Sequence, residues 1–296
     1  MDTKMLQTFV EVMRQGSFAT VARERNIDPS SVSRAISNLE KELGVRLFQR
    51  TTRQLSPTEA GITYFNRIEP LLEEMERAKE LVTQTQQPKG TLRVTASVSF
   101  GIKCIIPVLA EFESIYPDLS LELLLTDYRL DLLTERIDLA IRLGQLQDST
   151  LIAQRLILTK YSVCASPKYL QQHASIEQPE DIVRHDCLCF PISEYKTRWI
   201  FQDRHQNISK INVHGRTIIS NAIGLQQCAI AGMGLALLPH WLVDSEVETG
   251  NLIRVLPDYE VTATDFNTSA WFVYPSRNYV PLKVKVFKEF LRKKLI

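Results

Sequence analysis

Ser17–Gly61 reads SFATVARERNIDPSSVSRAISNLEKELGVRLFQRTTRQLSPTEAG. Two short helical patterns meet at a turn inside it. Asp28 suits the cap of the second helix, because its side chain can accept from the orphan amides of the first turn. Pro29 suits the first helical position, where no N–H is needed. Val32, Ile36, Leu39 and Leu43 recur at spacings of four, three and four and predict one buried stripe. Ser30, Ser31, Ser33, Arg34 and Ser37 fall off that stripe. Short hydroxyls and one long cation suit a helix that lies against base edges and phosphates in a major groove.

Working outward, Phe48–Ser56 reads as a two-stranded wing in which Arg50, Thr51 and Arg53 surround the turn. Planar arginine donors suit phosphates and narrow minor grooves, although an exposed turn with incidental cations would look the same. Residues 1–58 hold nine Lys/Arg against six Asp/Glu, a modestly basic balance in a chain whose net charge is only +1. Before the motif, Leu6, Phe9, Val10 and Met13 form an amphipathic face. After it, Pro57 and Thr58 open a long helix expected to run to about Gln87. Phe65, Ile68, Leu72, Met75 and Val82 mark its seam, with Lys79 at the one polar position. That pattern predicts a coiled-coil-like dimer helix, locally kinked at Pro70, although packing on the chain's own second half is an alternative.

Gln84–Gly90 (QTQQPKG) is a polar hinge. Beyond it strands and helices alternate. Strands are expected at 92–96, 119–125, 138–142, 161–165, 235–238 and 270–274, and near Cys187, Trp199 and Val213. Helices are expected at 102–116, 130–136, 222–231 and 280–295. Repeated βαβ units predict parallel sheets. Ligands of such sheets sit beyond the carboxyl ends of strands. Ser97-Val98-Ser99-Phe100-Gly101 and Ser220-Asn221-Ala222 each follow a strand and open a helix, with Ser99 and Asn221 as expected N-caps. A small molecule bearing a carboxylate or similar acidic group is therefore expected to touch Ser97, Ser99, Phe100 and Asn221. Thr126 would line the mouth, Phe201 would supply apolar area, and Arg142 would pair with the carboxylate. Helix capping alone would also explain Ser99 and Asn221, and Arg142 would equally suit a structural ion pair. Trp199, Trp241 and Trp271 read as core rather than ligand platforms.

At 296 residues and 44% hydrophobic content the chain is long enough for two or three cored domains. No run approaches a membrane span and no export signal is read at the N-terminus, so a cytoplasmic location is expected. The five cysteines match no zinc or thioredoxin spacing and read as small buried hydrophobes, with an oxidant-sensing pair as the alternative. HExxH, GxGxxG, P-loop and GxSxG patterns are absent, and the five histidines lack ligand spacing. No enzyme, metal or cofactor is expected.

The first stretch resembles the N-terminal domain of the LysR-type transcriptional regulators. The resemblance rests on Gly16-Ser17-Phe18, Val32-Ser33-Arg34, Leu39-Glu40, Leu43 through Arg50, and Leu55 through Gly61. Many members carry Gln-Pro where this chain has Pro29-Ser30, which keeps the helix start but puts one base-reading side chain at stake. The second half resembles the family's effector domain through Asp138–Arg142, Cys164–Pro167 and Ala231–Pro239. The resemblance implies a winged helix-turn-helix at 1–58 and a linker and dimerisation helix with hinge at 59–89. It implies a two-lobed, periplasmic-binding-protein-like (type 2) α/β effector domain at 90–296. Lobe I would comprise 90–164 and 269–296, and lobe II 165–268. The chain would cross between lobes near Ala165 and return near Thr268. The implied function is sequence-specific DNA binding modulated by a small-molecule effector between the lobes. Implied partners are a DNA operator, a second copy through residues 58–87, a tetramer and RNA polymerase. Residues 91–296 alone would also suit a solute carrier, which the first 58 residues argue against.

Overall fold

A computed structural model describes residues 2–50, 55–83, 87–144, 151–191, 197–275 and 280–296, without the side chains of 50, 73, 76, 77 and 79–83. The chain divides into two compact units, Met1–Gln86 and Gln87–Ile296.

In the first unit α1 (Thr3–Gln15), α2 (Phe18–Glu24) and α3 (Pro29–Leu43) precede the wing strands β1 (Phe48–Arg50) and β2 (Leu55–Pro57) and the long α4 (Glu59–Thr83). Side-chain oxygens of Asp2, Ser17 and Asp28 cap the first three helices. Gly44 ends α3 at φ 70°, a left-handed conformation in which a Cβ is costly. Phe9, Val12, Val21, Val32, Ile36, Leu39 and Leu47 are fully buried together. The Arg25 guanidinium grips both oxygens of Glu11 at 2.6 and 2.7 Å and fastens the end of α2 to α1.

The α4 seam does something other than expected. Ile68 and Leu72 are buried in the core of this same unit, with Phe65 packed beside them. Glu69, only 2% exposed, takes two bonds from Arg14 of α1 at 2.9 and 3.0 Å. Leu71 and Met75 remain more than half exposed. A helix that closes the small helical core cannot also offer that stripe to a partner. Pro70 sits inside the helix without ending it. Lys79 and Val82 lie outside the described side chains, as does Gln84–Gln86 of the hinge.

The second unit holds two sheets. The first has the order β4-β3-β5-β14-β6, from β3 (Gly90–Ala96), β4 (Leu119–Leu125), β5 (Leu139–Leu143), β6 (Ile152–Leu158) and β14 (Ser269–Tyr274). The second has the order β10-β9-β13-β7-β11-β8, with β12 (Ile253–Val255) also on β7. Its other strands are β7 (Tyr161–Ala165), β8 (Cys187–Leu188), β9 (Arg198–Gln202), β10 (Ile208–Asn212), β11 (Leu235–Pro239) and β13 (Glu260–Thr262).

The expectation of parallel sheets is corrected. β3 runs parallel to β4 and β5, but β14 runs antiparallel to β5 and β6. In the second sheet only β8 and β11 pair in parallel. The cause is topological. β14 enters the first sheet from the crossover, the edge toward which β3, β4 and β5 run, so it must run the other way. The sheets change over at Thr159 and Lys160 rather than near Ala165, and the chain returns at Thr268. Thr159 and Thr268 clamp the two crossovers: the Thr159 amide donates to the Thr268 carbonyl at 2.8 Å, and the Thr268 hydroxyl donates to the Thr159 carbonyl at 3.1 Å.

Residues 130–136 form a turn, not the expected helix, with Arg136 at φ 54°. The helix expected from Ile102 begins at Val98. It runs as α5 (Val98–Phe100), a π turn at Gly101–Ile105 and α6 (Ile106–Ile115). Pro107 explains the widened turn, because its ring clashes with the carbonyl four residues back and removes a ladder donor. Among the described residues the further helices are α7 (Pro167–Gln172), a 3₁₀ turn at Pro179–Arg184, α8 (Ala222–Ile230), α9 (His240–Glu248) and α10 (Leu282–Leu295).

Candidate nucleic-acid interface and interlobe site

With Val32, Ile36 and Leu39 buried, the opposite face of α3 is fixed. Ser30, Arg34 and Ser37 are exposed on it, while Ser31 and Ser33 are half-buried at its flanks. Asn38 and Lys41 are exposed on the same ridge and were missed in the sequence; their signal was the four-residue step from Arg34. Arg34 folds back on its own helix, reaching the Ser30 carbonyl and hydroxyl at 3.3 Å and the Ser31 hydroxyl at 3.4 Å. These long contacts are easily exchanged for an outside acceptor. Ser30 and the nearby Arg34 charge hold the Asp28 carboxyl below its ordinary range, so the cap stays ionised.

Glu40 sets the wing. Its Oε1 accepts from the amides of Leu47 and Phe48 at 2.8 and 3.1 Å, fixing where the chain leaves the recognition helix. β1 and β2 then pair antiparallel, Phe48 opposite Pro57. Arg50 ends β1; its side chain, Thr51 and Arg53 lie outside the described residues.

The predicted effector residues separate into two groups. Ser99 and Asn221 meet where the two lobes touch, and Ser97 lies two residues before Ser99 at the start of α5. Asn221 is the cap of α8, its Oδ1 accepting from Ile223 and Gly224 at 3.0 and 3.2 Å. Ser99 is not the cap of its own helix: that position is Ser97, which makes no side-chain capping bond. Ser99, 3% exposed, instead donates to Asn221 Oδ1 at 3.3 Å and accepts from the Ile223 amide at 3.2 Å. Asp127, which sequence reading passed over, accepts from the Val98 amide at 3.1 Å and from Asn221 Nδ2 at 3.0 Å. Arg142 is half-buried and donates to the carbonyls of Tyr128 and Leu130 at 3.4 Å. No carboxylate among the described residues pairs with it. Burial, then the charge of Arg129, lowers its pKa.

The other group is corrected. Phe201 is 1% exposed in the lobe II core, edge-on to Tyr259. It lies two residues from Trp199 along β9, so both point to the same, inward face. Phe100 is fully buried in lobe I, its ring edge-on to Trp241 of α9 at 5.2 Å. Trp241 is thus packed against both lobe cores, while Trp199 is core. Trp271, half-buried, donates its indole N–H to the Gly144 carbonyl. Thr126 is not contradicted: it is half-buried, and its hydroxyl accepts from the Tyr128 amide at 3.2 Å. Two buried donors beside the seam lack acceptors: the Ser97 hydroxyl and the Trp241 indole N–H.

A cavity of about 750 Å³ opens beside the crossovers, lined in part by Lys160, Ser162, His240, Arg254 and Glu260. None of the predicted effector residues lines it. The seam at Ser99 and Asn221 is bridged by direct bonds. Ser162 and His240 bond each other at 2.7 Å, and Lys160 pairs with Glu260. None of the five cysteines forms a disulfide. Burial pushes the thiols of Cys104, Cys164 and Cys187 up to about 12, the reverse of what a reactive thiolate needs. Among the described residues no group of His, Cys, Asp and Glu could hold a metal ion, and no helix is long and apolar enough to cross a membrane.

Known proteins carry both halves. Residues 3–62 match the family model for the bacterial regulatory helix-turn-helix protein, lysR family, and residues 85–296 match the LysR substrate binding domain. The chain is 35% identical over 296 residues to the HTH-type transcriptional regulator CrgA of Neisseria meningitidis, covering 99% of this chain and 97% of that protein. It is 32% identical to the regulator DmlR of Escherichia coli, covering 97% and 92%. The solved CrgA structure superposes with a TM-score of 0.63 at 33% identity over 100% of this chain and 99% of that one. Full-length AphB of Vibrio cholerae gives 0.60 at 26% identity, over the whole of both chains. These relatives are DNA-binding regulators rather than enzymes, and proteins of this kind assemble as oligomers. The chain belongs to the LysR family of transcriptional regulators, a winged helix-turn-helix joined to a two-lobed domain through which a small-molecule effector modulates its action on DNA.

Proposed function

We propose that the α3 ridge of Ser30, Arg34 and Ser37, extended by Asn38 and Lys41, reads base edges of an operator half-site. Ser31 and Ser33 support it from the flanks, and Arg50, Thr51 and Arg53 of the wing anchor on backbone. The observation that carries this reading is one exposed polar ridge on a helix whose opposite face is fully buried. A two-fold operator requires a dimer, and α4 carries the exposed apolar residues for it. Pairing of dimers into tetramers and contact with RNA polymerase extend the same reading, and the cytoplasm, where DNA is reached, is its setting.

The effector is a small molecule bearing a carboxylate or similar acidic group, held at the lobe seam. Acceptor-less donors at Ser97 and Trp241, and an Arg142 with no acid among the described residues, support that chemistry. Ser99 and Asn221 would change partners when it binds. No cofactor is required. A ligand acts only through its unequal affinity for two lobe or dimer arrangements. The test is binding of the full chain to DNA upstream of its own gene against scrambled DNA at two salt concentrations. Preference that persists at higher salt supports base readout; equal, salt-collapsing affinity leaves only backbone contact. The same assay screens carboxylate metabolites.

A further inference from the structure

We infer that Asp127 is a built-in latch whose carboxylate holds the two lobes together where the acidic effector would otherwise bind. Asp127 belongs to lobe I, in the loop after β4. One oxygen accepts from the Val98 amide at the start of α5, and the other accepts from the side-chain amide of Asn221 in lobe II. Asn221 cannot turn its amide over to release that bond cheaply. Its Oδ1 is committed to the Ile223 and Gly224 amides and to the Ser99 hydroxyl. The orientation of the cap therefore dictates that Nδ2 faces lobe I, and only an acceptor satisfies it there.

The carboxylate thus sits on two donors that an acidic ligand would also use, one from each lobe. Asp127 is exposed, so its bonds exchange with water and the latch is weak enough to be displaced. The orphaned Ser97 hydroxyl immediately precedes Val98, so a ligand with more acceptor oxygens gains a donor that Asp127 leaves unused. Ligand entry then swaps one carboxylate for another and frees Asp127 to repel or reorient the loop. This part rests on the seam being the effector site proposed above; the latch itself does not.

Hydrogen exchange of the full chain separates the two. Asp127→Asn keeps an acceptor for Val98 but presents N–H to N–H at Asn221. Asn221→Ser keeps a strong helix cap but removes the lobe-bridging donor. Each should speed exchange in both 98–101 and 221–225 by about threefold to tenfold, the range one exposed hydrogen bond supports, and leave β3 and β11 unchanged. The double variant should show no further rise, because both changes remove the same bond. Unchanged exchange, a rise confined to 98–101, or additive effects would each overturn the latch. Sodium acetate, with chloride matched, is the probe for displacement. It should slow exchange in Asp127→Asn at about three- to tenfold lower concentration than in the natural protein, by the same hydrogen-bond argument. Equal acetate dependence, with the ligand-free difference intact, would overturn displacement and leave the latch standing.

Discussion

Arg34 shows how little separates a resting side chain from a reading one. Its guanidinium lies on Ser30 and Ser31 at 3.3–3.4 Å, and it is exposed in the middle of the α3 ridge. Arg34→Ala is expected to relax specificity at one operator position by about 1–3 kcal/mol, measured against a panel of single-base operator variants. Arg50→Ala should instead weaken all DNA alike and lower the salt slope by about one. Identical behaviour of the two variants would defeat the division of roles. At this scale the sequence was legible wherever a buried stripe fixed a helix's rotation. Val32, Ile36 and Leu39 are all fully buried, so the exposure of Arg34 followed from their spacing. It failed for Phe201, because a strand residue's face depends on which sheet side is covered. It failed for Ser99, whose partners lie more than a hundred residues away in the chain. Asp127 was invisible for the same reason: nothing local tells an acid in a loop that an amide of the other lobe will face it.

Among elements, the start of α4 is fastened to the chain entering the wing through both backbone and the Thr58 side chain. The Leu47 carbonyl accepts from the Thr58 amide at 2.9 Å, and the Thr58 hydroxyl donates to the Arg46 carbonyl at 2.7 Å and caps the Gly61 amide. A Cβ on Gly61 would lie 2.2 Å from the Leu47 carbonyl oxygen. Backbone on both sides cannot yield as a flexible side chain can. Gly61→Ala should therefore cost about 1–3 kcal/mol by overpacking and lower the melting temperature of the N-terminal unit by roughly 5 °C or more. Calorimetry of the full chain checks it, and an unchanged transition would mean the helix slides freely. Element types were read well where periodicity was strong, as in α3, β4 and α10. Residues 130–136 look helical in composition but are too short to propagate beyond one turn, which ends at the left-handed Arg136. Strand direction was legible for β3, β4 and β5, which run parallel as the βαβ pattern predicts, but not for β14, because it depends on which end of the sheet the returning chain enters.

For the whole molecule, one buried and one half-buried histidine tie stability to pH. His185, 2% exposed, bonds the Tyr169 hydroxyl and leaves Nε2 without a partner. Burial, then the nearby His173, pushes its pKa below the ordinary 6.5, and burial, then Arg254, does the same to His240. The unfolded chain thus binds these protons more readily than the folded one. Their contribution is intact above about pH 6.5 and declines as pH falls toward the folded values. The melting temperature should fall between pH 7 and pH 5, and His185→Gln should flatten part of that slope; an unaltered slope would remove His185 from the cause. In the assembly proposed above, α4 makes the dimer contact. Its Ile68 and Leu72 are spent inside the N-terminal unit, so a partner helix would use what is left, which among the described side chains is Ile62 at 48%, Leu71 at 60% and Met75 at 54% exposure. Because Leu71 and Met75 support no core of their own, replacing both with Glu should leave each unit folded while placing like charges across any two-fold contact. Sedimentation should then show dissociated chains, and operator affinity should fall steeply because each half-site must be bound separately. Single half-site binding, by contrast, should barely change. If the double variant sediments like the natural protein, the dimer contact lies elsewhere than on α4.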